Sequence, residues 1–239
     1  MSERISETFE DRLQEIEAYL DLLEALEIQV RLGPPSIGGR IITVQQQKIL
    51  YSGVYLQLYN LVEATVNWCV DAACAAAASA VWKPSDLSET FLREWVRTVA
   101  RTHVPLNDEN RLDSALEMCR VFIGESAISS FVIDRRGNWD DKEIESVTQR
   151  LGCELRINKA TLAAVKKPIR DEKGALSLIR DLRNRLGHGS LSFSECGEGA
   201  TVVDLRDLKE RTANYLREVV QGFHAFIDDY HFLTPEKRP

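Results

Sequence analysis

The fold class follows from one long uninterrupted segment, whose middle reads Tyr51-Ser-Gly-Val-Tyr-Leu-Gln-Leu-Tyr-Asn-Leu-Val-Glu-Ala-Thr-Val66. From about Thr43 to Ala80 only Gly53 disfavours a helix. Apolar side chains recur every three or four residues, which puts them on one helical face. The buried face is predicted to contain Tyr51, Tyr55, Leu58, Val62 and Val66. We therefore predict a long core helix over residues 43–80.

Apolar spacing predicts further helices on both sides of this core helix. Glycine and proline predict a break after residue 32, and Asp204 is expected to cap the last helix. In an N-terminal helix the apolar stripe, which Glu27 ends, consists of Phe9, Leu13, Ile16, Leu20 and Leu23. The predicted helices span residues 1–32, 43–80, 84–99, 110–122, 138–151, 158–167, 171–189 and 204–232, with a small hairpin over 190–201. The expected fold is all-α, a single helical domain over residues 1–239.

Composition favours a soluble cytoplasmic protein. The hydrophobic content of 44% and the charged content of 28% are ordinary for a globular chain. Met1 to Glu10 is polar and acidic, so we predict no signal peptide. The most apolar stretch, Val66 to Val81, is shorter than the roughly 20 residues that span a bilayer, so we predict no membrane contact. The five cysteines are widely spread and predict free thiols in a reducing compartment.

Charge is distributed unevenly along the chain. The net charge of −7 argues against a protein that binds nucleic acid over its whole surface. Residues 156–185, however, contain nine Lys/Arg and three Asp/Glu, a local charge of +6. Residues 1–30 contain two Arg and nine Asp/Glu, a local charge of −7. Either the basic segment binds phosphate groups or it faces the acidic N-terminal helix, and charge alone leaves both open.

The segment Arg180-Asp-Leu-Arg-Asn-Arg-Leu-Gly-His-Gly189 carries the residues best suited to chemistry. It places Arg183 and Asn184 before His188, at the glycine-rich end of a helix. An arginine donates two parallel hydrogen bonds to a phosphate and keeps its charge. An imidazole can accept and return a proton near neutral pH. These two groups are the minimum for cleaving a phosphodiester without a metal. For an arbitrary Arg and His at this spacing, a surface ion pair and a helix cap remain the alternative.

This segment resembles the signature of the HEPN superfamily (higher eukaryotes and prokaryotes nucleotide-binding), in which Arg and a polar residue precede His. Arg183, Asn184 and His188 match that pattern. Tyr59-Asn-Leu-Val-Glu-Ala64 and Gly137-Asn-Trp-Asp140 also look like small stand-alone bacterial HEPN nucleases. The resemblance covers about residues 46–230. It implies a HEPN-type helical bundle with an added N-terminal helix and a small helical insertion around residues 82–127, neither of which carries a recognisable motif.

What the resemblance implies about function is a metal-independent endoribonuclease, often encoded in toxin–antitoxin or phage-defence loci. The expected partners are RNA, a second copy of the chain, and an antitoxin or defence-system protein. On a continuous helix Arg183 and His188 point about 140° apart, so one copy gives a poor two-residue grip. Two copies with facing motif helices would place two arginines and two histidines around one cleft, as the family is understood to do.

Further candidates surround this motif. Gln57, Asn60, Glu63 and Asn67 share one stripe of the core helix. Glu63 is predicted to orient His188 or Arg183, with a solvated helix face as the equal alternative, and Asn60 to contact RNA. Arg180 and Arg185 are predicted to steer phosphates, although a solvated face explains them equally well. His224, Asp228 and His231 have helical spacing that suits a metal, but a solvated face is much the commoner explanation. We predict no metal and no cofactor.

The predicted reaction is RNA cleavage by internal transfer. His188 deprotonates the ribose 2′-hydroxyl, which attacks the adjacent phosphorus, and Arg183 stabilises the charge of the transition state. The main alternative is a non-catalytic module of the same fold that holds a nucleotide or RNA, or docks a partner in a defence complex. A purely structural dimer in such a complex is a second alternative.

Overall fold

The computed structural model describes residues 2–78, 82–101, 105–124, 128, 131–134 and 137–239. Within them the chain forms a predominantly helical fold, which confirms the all-α prediction. Two short strands, β1 (Ser36–Ile37) and β2 (Arg40–Ile41), form an antiparallel hairpin. The helices are α1 (Ser2–Leu32), α2 (Val44–Ala77), α3 (Glu89–Val99), α4 (Asp108–Ile123), α5 (Asp141–Leu151), α6 (Lys159–Lys166), α7 (Ala175–Gly187), α8 (Phe193–Cys196) and α9 (Val202–Asp228), with 3₁₀ turns at Pro84–Asp86 and Pro235–Lys237.

Helix α2 is the centre of the molecule, and α1, α7, α8 and α9 all pack against it. Thr43 caps its first turn through a capping box with Gln46. The apolar face predicted from spacing is buried, and it joins the buried stripe of α1 in one hydrophobic cluster. The buried α1 stripe continues beyond the predicted one to Leu26. Of the predicted core helix, residues 79 and 80 lie outside the described part of the chain.

Glu27 belongs to a joint between three helices rather than to a solvated end of α1. One carboxylate oxygen of Glu27 accepts hydrogen bonds from the Tyr51 hydroxyl and from the Val202 amide, both at 2.9 Å. Val202 is the first residue of α9, whose early N–H groups have no partner within the helix. The side chain that ends the apolar stripe thus ties α1 to α2 and to the start of α9.

Acidic residues of α1 pair with basic residues of α9. Arg206 donates to Glu17, to Asp21 at 2.6 Å and to Glu24 at 2.8 Å. The same carboxylate of Glu17 also accepts from Lys209. We call this set, completed by Glu10 and Arg217, the α1–α9 seam. Four of the nine acidic residues in 1–30 are therefore paired with α9, and the alternative in which the acidic helix faces the basic segment 156–185 is wrong.

Three predicted elements need correction. The last helix begins at Val202 and ends at Asp228, and its cap is Thr201, whose hydroxyl accepts from the Asp204 amide. The predicted hairpin over 190–201 is wrong, because a Ser192–Glu195 capping box starts the short helix α8 there. The motif helix begins at Ala175 rather than at residue 171, because Asp171 and Glu172 have left-handed backbone conformations that interrupt a helix.

The remaining helices lie close to their predicted positions. Ser88 caps α3 after a 3₁₀ turn that occupies the start of the predicted helix over 84–99. Asn107, Asp140 and Asn158 cap α4, α5 and α6 through their side chains. Gly152 ends α5 in the left-handed conformation that glycine adopts readily. None of the helices in the described part of the chain is both long and apolar enough to cross a membrane.

Candidate active site at the end of α7

Helix α7 is amphipathic: one face packs in the core, and the polar side chains that could take part in a reaction lie outside it. Leu178, Leu182 and Leu186 are buried, as their spacing predicts. The polar side chains of the helix lie partly exposed on its other faces. The helix ends at Gly187, and His188 is its C-terminal cap, with an exposed side chain. Gly189 follows at φ 68°, a left-handed conformation that turns the chain away.

Arg183 is held against two residues of α2. Its guanidinium carbon lies 4.4 Å from the centroid of the Tyr59 ring, within the range of a cation–π interaction. One guanidinium nitrogen lies 3.8 Å from a carboxylate oxygen of Glu63, and another donates to the Asn184 side chain at 3.1 Å. The Arg183 side chain is still 40% exposed. The arginine is thus positioned by protein contacts yet open to a ligand.

The loop before α5 completes this arrangement. The Asn184 amide donates to the Asn138 side chain at 2.9 Å, and the Tyr59 hydroxyl donates to the Gly137 carbonyl at 2.9 Å. Arg180 pairs with Asp140, which also caps α5. We call Tyr59, Glu63, Asn138, Arg183 and Asn184 the Arg183 cluster. Three parts of the chain that are far apart in sequence therefore meet around one guanidinium.

Burial raises the pKa of the Tyr59 hydroxyl, and the nearby charge of Glu63 raises it further. The phenol therefore stays protonated at neutral pH and acts as a hydrogen-bond donor rather than as a base. Its ring supplies the surface under Arg183, while its hydroxyl fixes the loop at Gly137.

The structure separates the other predicted site residues. Arg180 is occupied by the nearly buried Asp140, so it supports the α5 loop. Arg185 points toward Asp181, at 3.8 Å, on another face of α7. Asn60 lines a groove between α1 and α2 together with Arg12 and Gln57. Of the predicted set, Glu63, Arg183 and Asn184 are connected through their side chains in the described structure, and His188 follows them through the backbone bond from its amide to the Asn184 carbonyl at 2.9 Å.

His224, on α9, and His231, which follows the helix, do not form a metal centre with Asp228. His224 has a buried Nε2 with no hydrogen-bond partner among the described residues, and His231 packs edge-on against Phe226. Within the described ranges no group of three His, Cys, Asp or Glu side chains could hold a metal ion.

Tyr59 and Asn138 belong to the Arg183 cluster, but neither was assigned a role from sequence. Tyr59 and Glu63 are four residues apart on a helix, so they share a face, and this spacing was the available signal for Tyr59. Asn138 lies outside the motif helix, in the Gly137–Asp140 stretch that carries part of the family resemblance, and the contact with Asn184 reveals its place beside Arg183.

Comparison with known protein families gives a match over most of the chain. A family model described as "HEPN_MAE_28990:/-like HEPN" matches residues 1–232. No curated protein and no solved structure matches the chain. The family match covers α1 and the segment around residues 82–127 as well as the motif helix.

Proposed function

Because the chain belongs to the HEPN_MAE_28990-like HEPN family, we propose that it is a metal-independent endoribonuclease that cleaves single-stranded RNA. One observation carries the proposal: Arg183 is held half-exposed on Tyr59, five residues before the exposed His188 at the end of the same helix. The resemblance to small bacterial HEPN nucleases supports a role as a toxin or phage-defence effector in the cytoplasm, with an antitoxin or defence-system protein as partner.

The proposed reaction is an internal transfer at the phosphodiester. His188 accepts the proton of the ribose 2′-hydroxyl, and the oxygen attacks the adjacent phosphorus. Arg183 donates hydrogen bonds to the oxygens that gain charge in the transition state. A second His188 protonates the leaving 5′-oxygen. The products are a 2′,3′-cyclic phosphate and a free 5′-hydroxyl.

Helix geometry supports a composite site made by two copies. Arg183 and His188 are five residues apart, so along a helix they diverge by about 140° and are separated by a rise of about 7.5 Å. One copy therefore presents the two groups to different sides. We propose a symmetric homodimer in which the α7 ends lie near the two-fold axis, so that His188 of one copy faces Arg183 of the other.

The test of the activity is a gel assay of single-stranded RNA cleavage in the presence of EDTA. The wild-type protein should cleave, and His188→Ala should lose about 10²- to 10⁴-fold in rate. His231→Ala is the matched control, because it removes an exposed histidine from another part of the surface and should cleave normally. Cleavage that appears only with Mg²⁺ or Mn²⁺ would contradict the mechanism. Binding of RNA without cleavage would favour the non-catalytic alternative.

The test of the composite site is subunit mixing. Inactive His188→Ala and inactive Arg183→Ala are combined under conditions that allow subunit exchange, after sedimentation has established the assembly state. Recovered cleavage shows that one His and one Arg from different copies suffice. A dilute monomer that cleaves at full rate would contradict the composite site.

A further inference from the structure

Helices α1 and α2 leave a groove between them that the reaction described above does not use. It consists of two cavities of about 390 and 340 Å³, which share Trp68 as a wall. Each volume lies near the lower end of small-ligand sites, which suits one nucleotide-sized group. The Trp68 ring is only partly buried against the core, so its sides border both cavities.

The lining of the groove has the chemistry of a single-strand binding surface. Arg4 and Asp71 line the first cavity, and Arg12, Glu15, Gln57 and Asn60 line the second. A flat indole can stack on any base, an arginine contacts phosphates, and side-chain amides can hydrogen-bond to base edges. Among the described contacts, Arg12 forms an ion pair with the exposed Glu15, with a nitrogen–oxygen distance of 3.1 Å. Because exposed ion pairs are weak, a phosphate can replace Glu15 as the partner of Arg12.

The charges of α1 are divided between the side that faces α9 and the side that borders α2. Residues 1–30 contain two arginines, and both line the groove. Much of the opposing negative charge of α1, at Glu10, Glu17, Asp21 and Glu24, is paired with α9. On the side that borders α2, Glu15 of α1 and Asp71 of α2 also line the groove.

The groove lies next to the Arg183 cluster. Asn60 and Glu63 are three residues apart on α2, and residues at that spacing are surface neighbours about 5–6 Å apart. We propose that the groove is an accessory site for single-stranded RNA, in which Trp68 stacks on a base and Arg4 and Arg12 contact the phosphates of adjacent nucleotides. This inference rests on the proposed function, because it assumes that RNA is the substrate of the neighbouring cluster.

The experiment measures binding by the full chain carrying His188→Ala, so that RNA stays intact. Fluorescence anisotropy follows a labelled single-stranded RNA of about 12 nucleotides. Arg12→Glu should weaken RNA binding at least about tenfold. The slope of log affinity against log salt should become shallower by the amount expected for about one phosphate contact. Trp68→Ala should weaken it about 5- to 100-fold, whereas Trp68→Phe, which keeps a stacking ring, should stay within about threefold.

Arg93→Glu is the control, since it makes the same charge change at a side chain that is 76% exposed on α3. The RNA affinity of this control should match that of the chain that carries His188→Ala alone. Arg12→Glu keeps the test valid if Trp68→Ala fails to fold, because Arg12 is a surface residue. Unchanged RNA affinity in Arg12→Glu would overturn the proposal. Unchanged RNA affinity with a shifted sedimentation coefficient would assign the groove to contact between copies and would overturn it as well.

The groove and the reaction fail in distinguishable ways. If the wild type cleaves RNA in EDTA but the groove variants bind RNA normally, only the groove assignment is wrong. If the wild type does not cleave RNA but Arg12→Glu and Trp68→Ala bind it more weakly, the groove assignment holds and the proposed reaction is wrong.

Discussion

Arginines meet carboxylates in two regions of this molecule, the α1–α9 seam and the Arg183 cluster, and the two regions use them differently. In the seam, Arg206 donates to three carboxylates and is 27% exposed. In the cluster, Arg183 makes one hydrogen bond to a side chain within the described residues, lies 3.8 Å from one carboxylate and is 40% exposed. A guanidinium has five N–H donors, so Arg183 retains donors that Arg206 has spent.

The number of donors that an arginine leaves unused therefore separates a structural arginine from one that can bind a ligand. An arginine whose donors are taken up by its own chain stabilises the fold. An arginine that is fixed from one side by a ring and a single carboxylate is positioned, but its outward donors remain available.

Arg183→Ala should have the largest effect. RNA cleavage should fall about 10²- to 10³-fold, because the variant lacks the donor to the transition-state oxygens. The free energy of unfolding in urea should change by less than about 1 kcal/mol, because the lost ion pair is partly exposed. A variant that unfolds instead would place Arg183 with the structural arginines.

Arg206→Ala should show the reverse pattern. The free energy of unfolding should fall by about 1 to 2 kcal/mol, because three acidic side chains on α1 lose their shared partner. Cleavage per folded molecule should stay at the wild-type level. Urea unfolding and the gel assay on the same preparation check both statements, and a selective loss of cleavage would remove the contrast between the two regions.

Tyr59→Leu tests whether the ring positions Arg183. We expect kcat to fall about tenfold, because the cation–π contact is lost, while KM changes little. Tyr59→Phe keeps the ring and removes only the hydroxyl bond to Gly137, so it should retain most of kcat. Tyr55→Leu is the matched control one turn earlier, where Arg170 lies 5.8 Å from the ring centroid. If all three variants lower stability and leave kcat unchanged, Tyr59 has only a structural role.

Lowering the pH should reduce the stability that the α1–α9 seam provides, and this is the smallest of the expected effects. The hydrogen bond from Lys209 lowers the pKa of Glu17, and the one from Arg217 lowers the pKa of Glu10, below the usual value of 4.5. The unfolded chain therefore binds protons first, so the stabilisation present above about pH 4.5 is lost as the pH falls through the folded values. Glu17→Gln should make the free energy of unfolding less dependent on pH between about 5 and 3. An unchanged slope would contradict the assignment.

Local patterns predicted most of the helices because each carries its own signal. The α2 face was visible as a run of apolar residues every three or four positions. Helix α8 was missed although Ser192 and Glu195 have capping-box spacing, because nearby glycines pointed to a turn. The start of α9 was placed two residues late because Asp204 was taken for the cap that Thr201 provides.

The site was predictable only where its residues lie in one motif. Arg183, Asn184 and His188 are contiguous enough to be recognised, and Glu63 was found from its polar position on an apolar helix. Asn60 shared that polar stripe, but the docking of α1 places it in a separate groove. Asn138 enters the cluster through a contact 46 residues away in sequence, which no local spacing encodes.

The joint at Glu27 has a consequence for synthesis. The hydrogen bond from the Val202 amide to the Glu27 carboxylate cannot form until Val202 has been synthesised, 175 residues further along the chain. At roughly 5 to 20 residues per second, translation needs on the order of 10 to 40 s to supply that partner. The Arg183 motif is made before α9, so a nascent chain carries its chemistry before the seam has closed. The order of synthesis thus delays a finished fold until the message has been read past α9.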